Sequence, residues 1–446
     1  MTVFIYLQLR LLLEFYKSFK ASYITPIHKS GNRNDILNYR GIAIISTIPK
    51  LFEKLVADKL SGVISETMNE QQHGFLKNKS TNTNLVVYTS SIINRMEKSK
   101  QIDAVYTDFS KAFDRVNHKI LLTKLSCMGF SNNILKWIGS YLNGRTQQVK
   151  FQGKLSKIVS VTTGVPQGSH LGPMLFNIFI RDLSFVLSDV DHILYADDLK
   201  LFHTIDTIQD AAFVQDKINT LKEWCDFNDL QLNPKKCQVI SFCRRSDVMK
   251  FNYVINSDVL NRVTEINDLG VILDSKMTFK PHWNSTLARA YHLLGFIKRR
   301  DKEFNNLWVT KTLYVNYVRS VLEYGSVVWM PYTDEYIKQF ESVQKQFLLF
   351  ALRNVFDPSD YLNLPKYEHR LNIIQLETLN FRRNLLGACF TFDILENNIK
   401  VNKLNEAVKI NDYRLTRHSR FLLEPLHQTC YGRNEPITRN IRLFNS

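Results

Sequence analysis

The sequence has little of several features that define common protein classes. It contains six cysteines in 446 residues and no C-x-x-C pair, which argues against a structural zinc site or a disulfide framework and favours reduced thiols. No apolar run is long enough to span a membrane. The nearest, Val3–Phe15, carries Arg10 and Glu14 and lacks the basic start and the cleavage site of a signal peptide. We therefore expect an intracellular protein of the nucleus or cytoplasm, neither secreted nor bound to a membrane.

Acidic residues are also scarce. The chain has 42 Asp and Glu against 58 Lys and Arg, which gives a formal net charge of +16 at pH 7. Such an excess of positive charge favours a polyanionic partner, with nucleic acid favoured over an acidic membrane surface. Hydrophobic residues make up 44% of the chain, as expected for a globular protein with a sizeable core.

The hydrophobic pattern predicts an α+β first half followed by an all-helical second half from about Leu287. The predicted helices are residues 1–20, Thr47–Met68, a helix capped by Ser110 that runs through Leu125, Leu171–Leu187 and Thr207–Asn228. The predicted strands and hairpins are Gln101–Asp108, Val149–Val161 with Gly153 in its turn, His192–Phe202, Gln238–Cys243 and Asp268–Leu273. A basic loop is predicted over Thr25–Gly41.

An acidic hairpin is the most informative motif. The stretch His192–Phe202, HILYADDLKLF, places Asp197 and Asp198 side by side between two short apolar runs. Carboxylates this close repel each other, and a hard oxygen-liganded cation such as Mg²⁺ relieves the repulsion. The pair is therefore a candidate metal site for phosphoryl transfer. The alternative is an ordinary solvated Asp-Asp turn.

A third carboxylate ends the predicted strand Gln101–Asp108. Asp108 lies 89 residues before Asp197, which is far enough for another strand to lie beside it. Together the three acids could bind two metal ions about 4 Å apart, one activating a 3′-hydroxyl and the other neutralising the triphosphate. The alternative is that Asp108 only precedes a helix N-terminus, where acids are favoured.

A constrained loop and an aromatic residue are candidates for nucleotide contact. Gly164–Pro173, GVPQGSHLGP, holds three glycines and two prolines; Gly168 permits close backbone approach, and the Gln167 amide can both donate and accept hydrogen bonds. Phe113 could exclude a ribose 2′-oxygen by a steric clash. The alternatives are a helix-entry loop without a ligand and a core phenylalanine.

Two basic segments also have two interpretations each. Lys29, Arg33 and Arg40 could clamp a triphosphate or lie on a solvated surface loop. Lys235 and Lys236 follow an Asn-Pro pair, and a lysine there could protonate leaving pyrophosphate or be a solvated charge in a turn.

The succession of motifs resembles the reverse transcriptase of non-LTR (LINE-type) retrotransposons, above all the jockey/CR1-like branch. The motifs are, in order, ITPIHKSG, NYRGIAI, QHGFLKNKST, DFSKAFDRVNHKIL, GVPQGSHLGPMLFNIFI, YADDLKLF, LNPKKC, DLGVILD and LEYGSVVWMP. The resemblance covers about Ala21 to Pro331. Its specificity comes from the order and spacing of the set, since no single motif carries it.

The resemblance implies a right-hand polymerase of fingers, palm and thumb. Such an enzyme extends a DNA primer or target end on an RNA template, using deoxynucleoside triphosphates and two Mg²⁺ ions, with Mn²⁺ as a substitute. The implied residues are Asp108, Asp197, Asp198 and Lys236 for catalysis; Asp108, the carbonyl of Phe109, Asp197 and Asp198 for metal; Lys29, Arg40, Phe113, Gln167 and Gly168 for substrate; and Leu269, Gly270, Arg289, Lys298 and Arg299 for primer and template.

The resemblance also predicts a domain division and some departures from the family. We expect an N-terminal helical remnant (1–20), fingers and palm (21–274), a thumb-like helical region (275–345) and a basic helical region of unknown role (346–446). Gly41 stands where the family commonly has proline, which is expected to loosen its loop. An upstream endonuclease, a fingers extension and a zinc knuckle are expected to be absent, as in an N-terminally truncated copy.

Two alternatives to an active DNA polymerase remain at this point. The chain could be a catalytically inactive relic or a co-opted RNA-binding protein, which the net positive charge alone would support. It could also be an RNA-templated RNA polymerase, although Phe113 argues against room for a 2′-oxygen.

Overall fold

The structure is a computed structural model that describes residues 15, 19–29, 31–300, 306–353, 365–411 and 421–446. The helix predicted over residues 1–20 lies almost entirely outside these ranges. None of the helices in these ranges combines the length and the hydrophobicity that a transmembrane span requires. The six cysteines are all described and are free thiols.

The first half of the chain mixes helices with strands. The described strands are β1 (Ala21–His28), β2 (Tyr39–Ile44), β3 (Gln101–Thr107), β4 (Arg145–Phe151), β5 (Lys154–Leu155), β6 (Val159–Val161), β7 (Asp191–Tyr195), β8 (Asp198–Ile205), β9 (Gln238–Phe242), β10 (Val254–Ile255), β11 (Asp258–Val259), β12 (Asn261–Val263), β13 (Glu265–Asp268) and β14 (Val271–Asp274). The α-helices among them are α1 (Thr47–Thr67), α2 (Thr81–Glu97), α3 (His118–Cys127), α4 (Asn132–Leu142), α5 (Leu171–Ile180), α6 (Leu183–Val186) and α7 (Ile208–Phe227).

From residue 280 onward the described elements are helical. The α-helices are α8 (Lys280–Arg300), α9 (Leu307–Leu313), α10 (Ser320–Glu323), α11 (Ser326–Trp329), α12 (Asp334–Ala351), α13 (Tyr367–Ile374), α14 (Leu379–Leu395), α15 (Asn402–Ala407), α16 (Cys430–Arg433) and α17 (Pro436–Asn445), with a π-helical turn at Tyr314–Arg319. The predicted α+β first half followed by a helical region is confirmed.

The central sheet has the strand order β12-β9-β3-β8-β7. Strand β3 pairs antiparallel with both β8 and β9, and β7 pairs antiparallel with β8. Because successive strand residues face opposite sides, Ile102 and Ala104 pack with α2 and the C-terminal helices, whereas Val105 packs with the helices α3 to α7. The sheet therefore has an apolar core on each face.

A second sheet, with the order β2-β1-β4-β5 and β6 beside β4, replaces much of the predicted basic loop. The loop prediction over Thr25–Gly41 is wrong because both ends of that segment form the antiparallel pair β1–β2. Pro26 is tolerated because β4 pairs only with Ala21–Ile24, which leaves one edge of β1 open at residue 26. Gly41 lies in β2, paired with Pro26, rather than in a loop, and an added Cβ there would come within 2.9 Å of Ile24 Cγ2.

Three other elements differ from the predictions. No helix starts at Ser110: a 3₁₀ turn spans Ala112–Asp114, and Asn117 caps α3 through the amides of its first turn. The helix predicted over Leu171–Leu187 is divided into α5 and α6. The single strand predicted over Asp268–Leu273 is interrupted by the turn of the β13–β14 hairpin: Asp268 ends β13, and Val271–Leu273 belong to β14.

The C-terminal helices pack back onto α2. Glu97, at the end of α2, accepts hydrogen bonds from the backbone N–H of Gln428 and Thr429. Ser90 donates to the buried Glu435, and Tyr431 donates to the carbonyl of Met96. These contacts attach residues 427–446 to the helix that covers one face of the central sheet.

Candidate active site

The strand register places the predicted carboxylates together. Thr107 pairs with Leu199, so the next residues, Asp108 and Asp198, continue side by side at the ends of β3 and β8. Paired residues on antiparallel strands have Cα atoms about 5 Å apart. Asp197 occupies the tip between β7 and β8, since Tyr195 pairs with Asp198. The strand register therefore brings the backbone of the three acids together at one end of the central sheet.

A buried glutamine shapes the tip of this hairpin. Ala196 has a positive φ of 57°, and Gln72 holds it by donating to its carbonyl at 3.2 Å and accepting from its N–H at 2.9 Å. Gly74 has no room for a side chain, because an added Cβ would lie 2.2 Å from the nitrogen of Ala196. Sequence reasoning missed both roles; their signal was the motif QHGF, which entered only as part of the resemblance.

Negative charge accumulates at the tip. Partial burial, followed by the charge of Asp197, raises the pKa of Asp198 to about 6. Burial and the charge of Asp108 likewise raise the pKa of Asp197, whereas Arg40 and Lys29 lower it. Arg40 and Lys29, both predicted to bind the triphosphate, are thus near enough to act electrostatically on the Asp197 carboxylate.

The side chains at the tip are of the type that hard divalent cations prefer as ligands. Asp108, Asp197 and Asp198 offer carboxylate oxygens from adjoining strand ends, and burial together with neighbouring negative charge opposes the ionisation of Asp197 and Asp198. As they stand, no three His, Cys, Asp or Glu side chains in the described ranges converge closely enough to hold a metal ion.

The segment containing the predicted catalytic lysine lies alongside Asp108. The N–H of Asn233 donates to the carbonyl of Asp108 at 2.8 Å, and Phe109 forms a β-bridge with Leu232. Lys236 is exposed, and its Nζ lies 3.7 Å from Oδ2 of Asp108. The structure thus places this lysine beside Asp108.

Phe113 lies on the 3₁₀ turn rather than on a helix. Its ring stacks on Phe176 with centroids 4.3 Å apart and meets Phe75 edge to face. The N–H of Val165 donates to the carbonyl of Phe113, which fixes the turn against the glycine-rich loop. The ring is half-buried, so one part packs in the core and another remains open.

The glycine-rich loop is fixed on both sides. The side-chain amide of Gln167 donates to the Asp114 carboxylate at 3.0 Å. The backbone carbonyl of Gln167 accepts from the N–H of Ala43 on β2 at 2.7 Å. Gly168 has a φ of +120°, and an added Cβ would lie 2.6 Å from the Ala43 carbonyl oxygen. Glycine is required here because the loop and β2 are in close contact.

The predicted primer and template residues separate into two groups. Leu269 and Gly270 form the tip of the β13–β14 hairpin, both with positive φ. Arg289 and Arg299 are exposed on α8. Lys298 does not share that surface: burial lowers its pKa, and its ammonium lies 5.7 Å from the centre of the Phe350 ring.

Residues 27–273, just over half of the chain, match the family described as "Reverse transcriptase (RNA-dependent DNA polymerase)". The chain belongs to the reverse transcriptase family. The matched segment holds β3, the acidic hairpin, the glycine-rich loop and Lys236. This membership, with the central sheet, confirms the predicted polymerase fold.

Curated relatives confirm the resemblance to non-LTR retrotransposons of the jockey type. The probable RNA-directed DNA polymerase from transposon BS of Drosophila melanogaster is 28% identical over 377 residues, covering 81% of this chain and 41% of the relative. The polymerase from mobile element jockey of the same species is 28% identical, covering 60% and 30%. The chain spans less than half the length of these relatives.

Among solved structures, apo telomerase from Candida tropicalis superposes with a TM-score of 0.46 at 12% identity, covering 85% of this chain and 66% of that chain.

Proposed function

We propose that this chain is an RNA-directed DNA polymerase that extends a DNA 3′-end on an RNA template. The observation that carries the proposal is the alignment of Asp108 with Asp198 at adjoining strand ends, with Asp197 at the tip between them. The chain belongs to the reverse transcriptase family, and we place deoxynucleotide addition at these three carboxylates.

We propose that Asp108, Asp197 and Asp198, with the carbonyl of Phe109, hold two Mg²⁺ ions, for which Mn²⁺ can substitute. When bound, the ions supply charge neutralisation and lower the pKa of the attacking 3′-hydroxyl.

The chain's own residues supply the rest of the chemistry. Arg40 and Lys29 act on Asp197 electrostatically and lie where a triphosphate needs compensating charge. Lys236, beside Asp108, can donate a proton to the leaving pyrophosphate. The Phe113 ring, backed by Phe176, presents a rigid face that excludes a ribose 2′-oxygen. These roles imply deoxynucleotides as the substrates and an intracellular site of action.

Primer extension by the purified full chain tests the proposal. An RNA template with a DNA primer, deoxynucleotides and Mg²⁺ should give extended product, and Asp197→Asn should lose at least a hundredfold of the rate. Asp206→Asn is the matched control, because Asp206 is an exposed acid beyond the far end of β8, bonded to Lys100, and should retain the wild-type rate.

Two results would contradict the proposal: no extension by the wild type, or equal extension by Asp197→Asn. Salt-sensitive RNA binding without nucleotide incorporation would instead favour the co-opted RNA-binding protein, for which the net charge of +16 is the supporting observation.

A further inference from the structure

A fully buried ion pair lies next to the candidate active site and has no role in the chemistry described above. Nζ of Lys200 is 2.7 Å from Oδ1 of Asp268, and the two side chains are 1% and 2% exposed. Lysine and aspartate are among the residues least often buried in proteins. The burial of this pair, between the central sheet and the β13–β14 hairpin, therefore needs an explanation.

The pair connects both strands that carry the carboxylates. Lys200 lies two residues after Asp198 on β8, and its register partner on β3 is Tyr106, two residues before Asp108. The Tyr106 hydroxyl donates to the other oxygen of Asp268 at 3.1 Å. A single carboxylate on the β13–β14 hairpin thus contacts both strands, each time two residues from an acid.

The strand side of the network is itself fixed by a helix. Lys200 also donates to Oδ1 of Asn84 on α2 at 2.8 Å. The Asn84 amide in turn donates to the carbonyl of Leu194 on β7 at 2.9 Å. Lys200 therefore cannot shift without disturbing contacts to the acidic hairpin.

The hairpin side of the network ends at the tip predicted to grip the primer. Asp268 immediately precedes Leu269 and Gly270. On the opposite side of the tip, the Tyr324 hydroxyl donates to the Leu269 carbonyl at 2.8 Å. Its ring also packs so closely on Gly270 that an added Cβ would lie 3.1 Å away. The tip is held between the central sheet and the helical region.

Stability alone does not account for a buried ion pair. Replacing such a pair with well-packed apolar residues is often neutral or stabilising. Apolar contacts are not directional, so they allow the hairpin to pack in more than one way. The directional hydrogen bonds of a lysine and a tyrosine to one carboxylate specify a single placement of the hairpin.

We propose that the Lys200–Asp268 pair is a positioning element that fixes the primer-grip hairpin relative to the strands carrying Asp108 and Asp198. It thereby aligns the primer 3′-hydroxyl with the carboxylates. The inference rests on the proposed function, because it takes the hairpin tip to contact the DNA primer of that reaction. A displacement of about 1 Å at a reacting atom can cost a hundredfold in rate, so a small shift of the tip has a large effect.

The test uses the full chain with Asp268→Asn, Lys200→Met and the double variant Lys200→Met/Asp268→Asn. The single variants leave a buried group without its partner and can lose folded protein for that reason alone. The double variant has no unpaired charge and is the decisive one. The matched control is Asp103→Asn, a buried carboxylate at the other end of β3, held by Ser241 and Tyr253.

Two readouts separate positioning from folding. The first is kcat per active site in primer extension, counted by burst amplitude, together with the KM for deoxynucleotide. The second is hydrogen exchange at the amides of residues 269–271. For the double variant we expect kcat to fall at least tenfold, the KM to stay within twofold, and the tip amides to exchange at least tenfold faster. Asp103→Asn should change the folded fraction but neither readout.

A double variant with wild-type kcat per active site would overturn the proposal, because the pair would then only compensate its own charges. Unchanged exchange at the tip would overturn it equally. If the wild-type chain extends no primer, the proposed function fails, and hydrogen exchange alone still decides whether the pair fixes the hairpin.

Discussion

The imidazole of His282 should make the stability of this protein depend on pH. His282 lies near the start of α8, is 6% exposed, and packs against the Trp329 ring with centroids 4.8 Å apart. Its Nδ1 accepts a hydrogen bond from the N–H of Ile272 on β14 at 3.2 Å. The neutral ring therefore joins α8 to the β13–β14 hairpin, and a proton on Nδ1 would abolish that bond.

The sign and size of the effect follow from the pKa. Burial lowers the pKa of His282 from 6.5 to about 4, so between these values the unfolded chain binds the proton more readily than the folded chain. The stabilising contribution is fully present above pH 6.5 and is lost as the pH falls toward 4. From linkage, the loss between pH 7 and pH 5 is about 2 kcal/mol.

Urea denaturation at pH 7, 6 and 5 measures this loss. His282→Asn keeps an acceptor for the Ile272 N–H but does not titrate, so its stability should fall about 2 kcal/mol less than that of the wild type over the same range. His369→Gln, at an exposed histidine on α13, is the control and should follow the wild type. Parallel losses in wild type and His282→Asn would refute the reasoning.

Three further predictions concern the active site and the nucleic-acid surface. Gly168→Ala forces a Cβ to 2.6 Å from a carbonyl oxygen at a φ of +120°, so primer extension should fall at least tenfold, while Gly62→Ala, with open space around it, should keep full activity. Phe113→Ala should raise incorporation of ribonucleotides relative to deoxynucleotides in single-nucleotide assays; an unchanged ratio would remove the steric role. Arg299→Ala should reduce the salt dependence of template–primer binding by about one counterion, whereas Lys298→Ala, whose ammonium lies over an aromatic ring, should leave the slope unchanged.

Local signals predicted the strands and hairpins around the acids. The alternation in Gln101–Asp108 and the paired apolar runs around Asp197 determined β3, β7 and β8, because strand periodicity is a property of neighbouring residues. The same reasoning was wrong at Ser110, where a serine ahead of a helix-like pattern imitates an N-cap. The amides of Gly164 and Val165 bond instead to the carbonyls of Val116 and Phe113, and this long-range pairing prevents a helix.

The tertiary structure alone decided which polar residues support the site. Gln72, Asn84, Lys200 and Asp268 are distant in sequence and unremarkable by type, so no local pattern assigns them a partner. By itself, the sequence determined the order of the motifs, the identity of the three acids and the positive charge, since these depend only on residue type and order and not on the fold. The placement of the primer-grip hairpin depends on buried hydrogen bonds between distant segments, which exist only once the chain has folded.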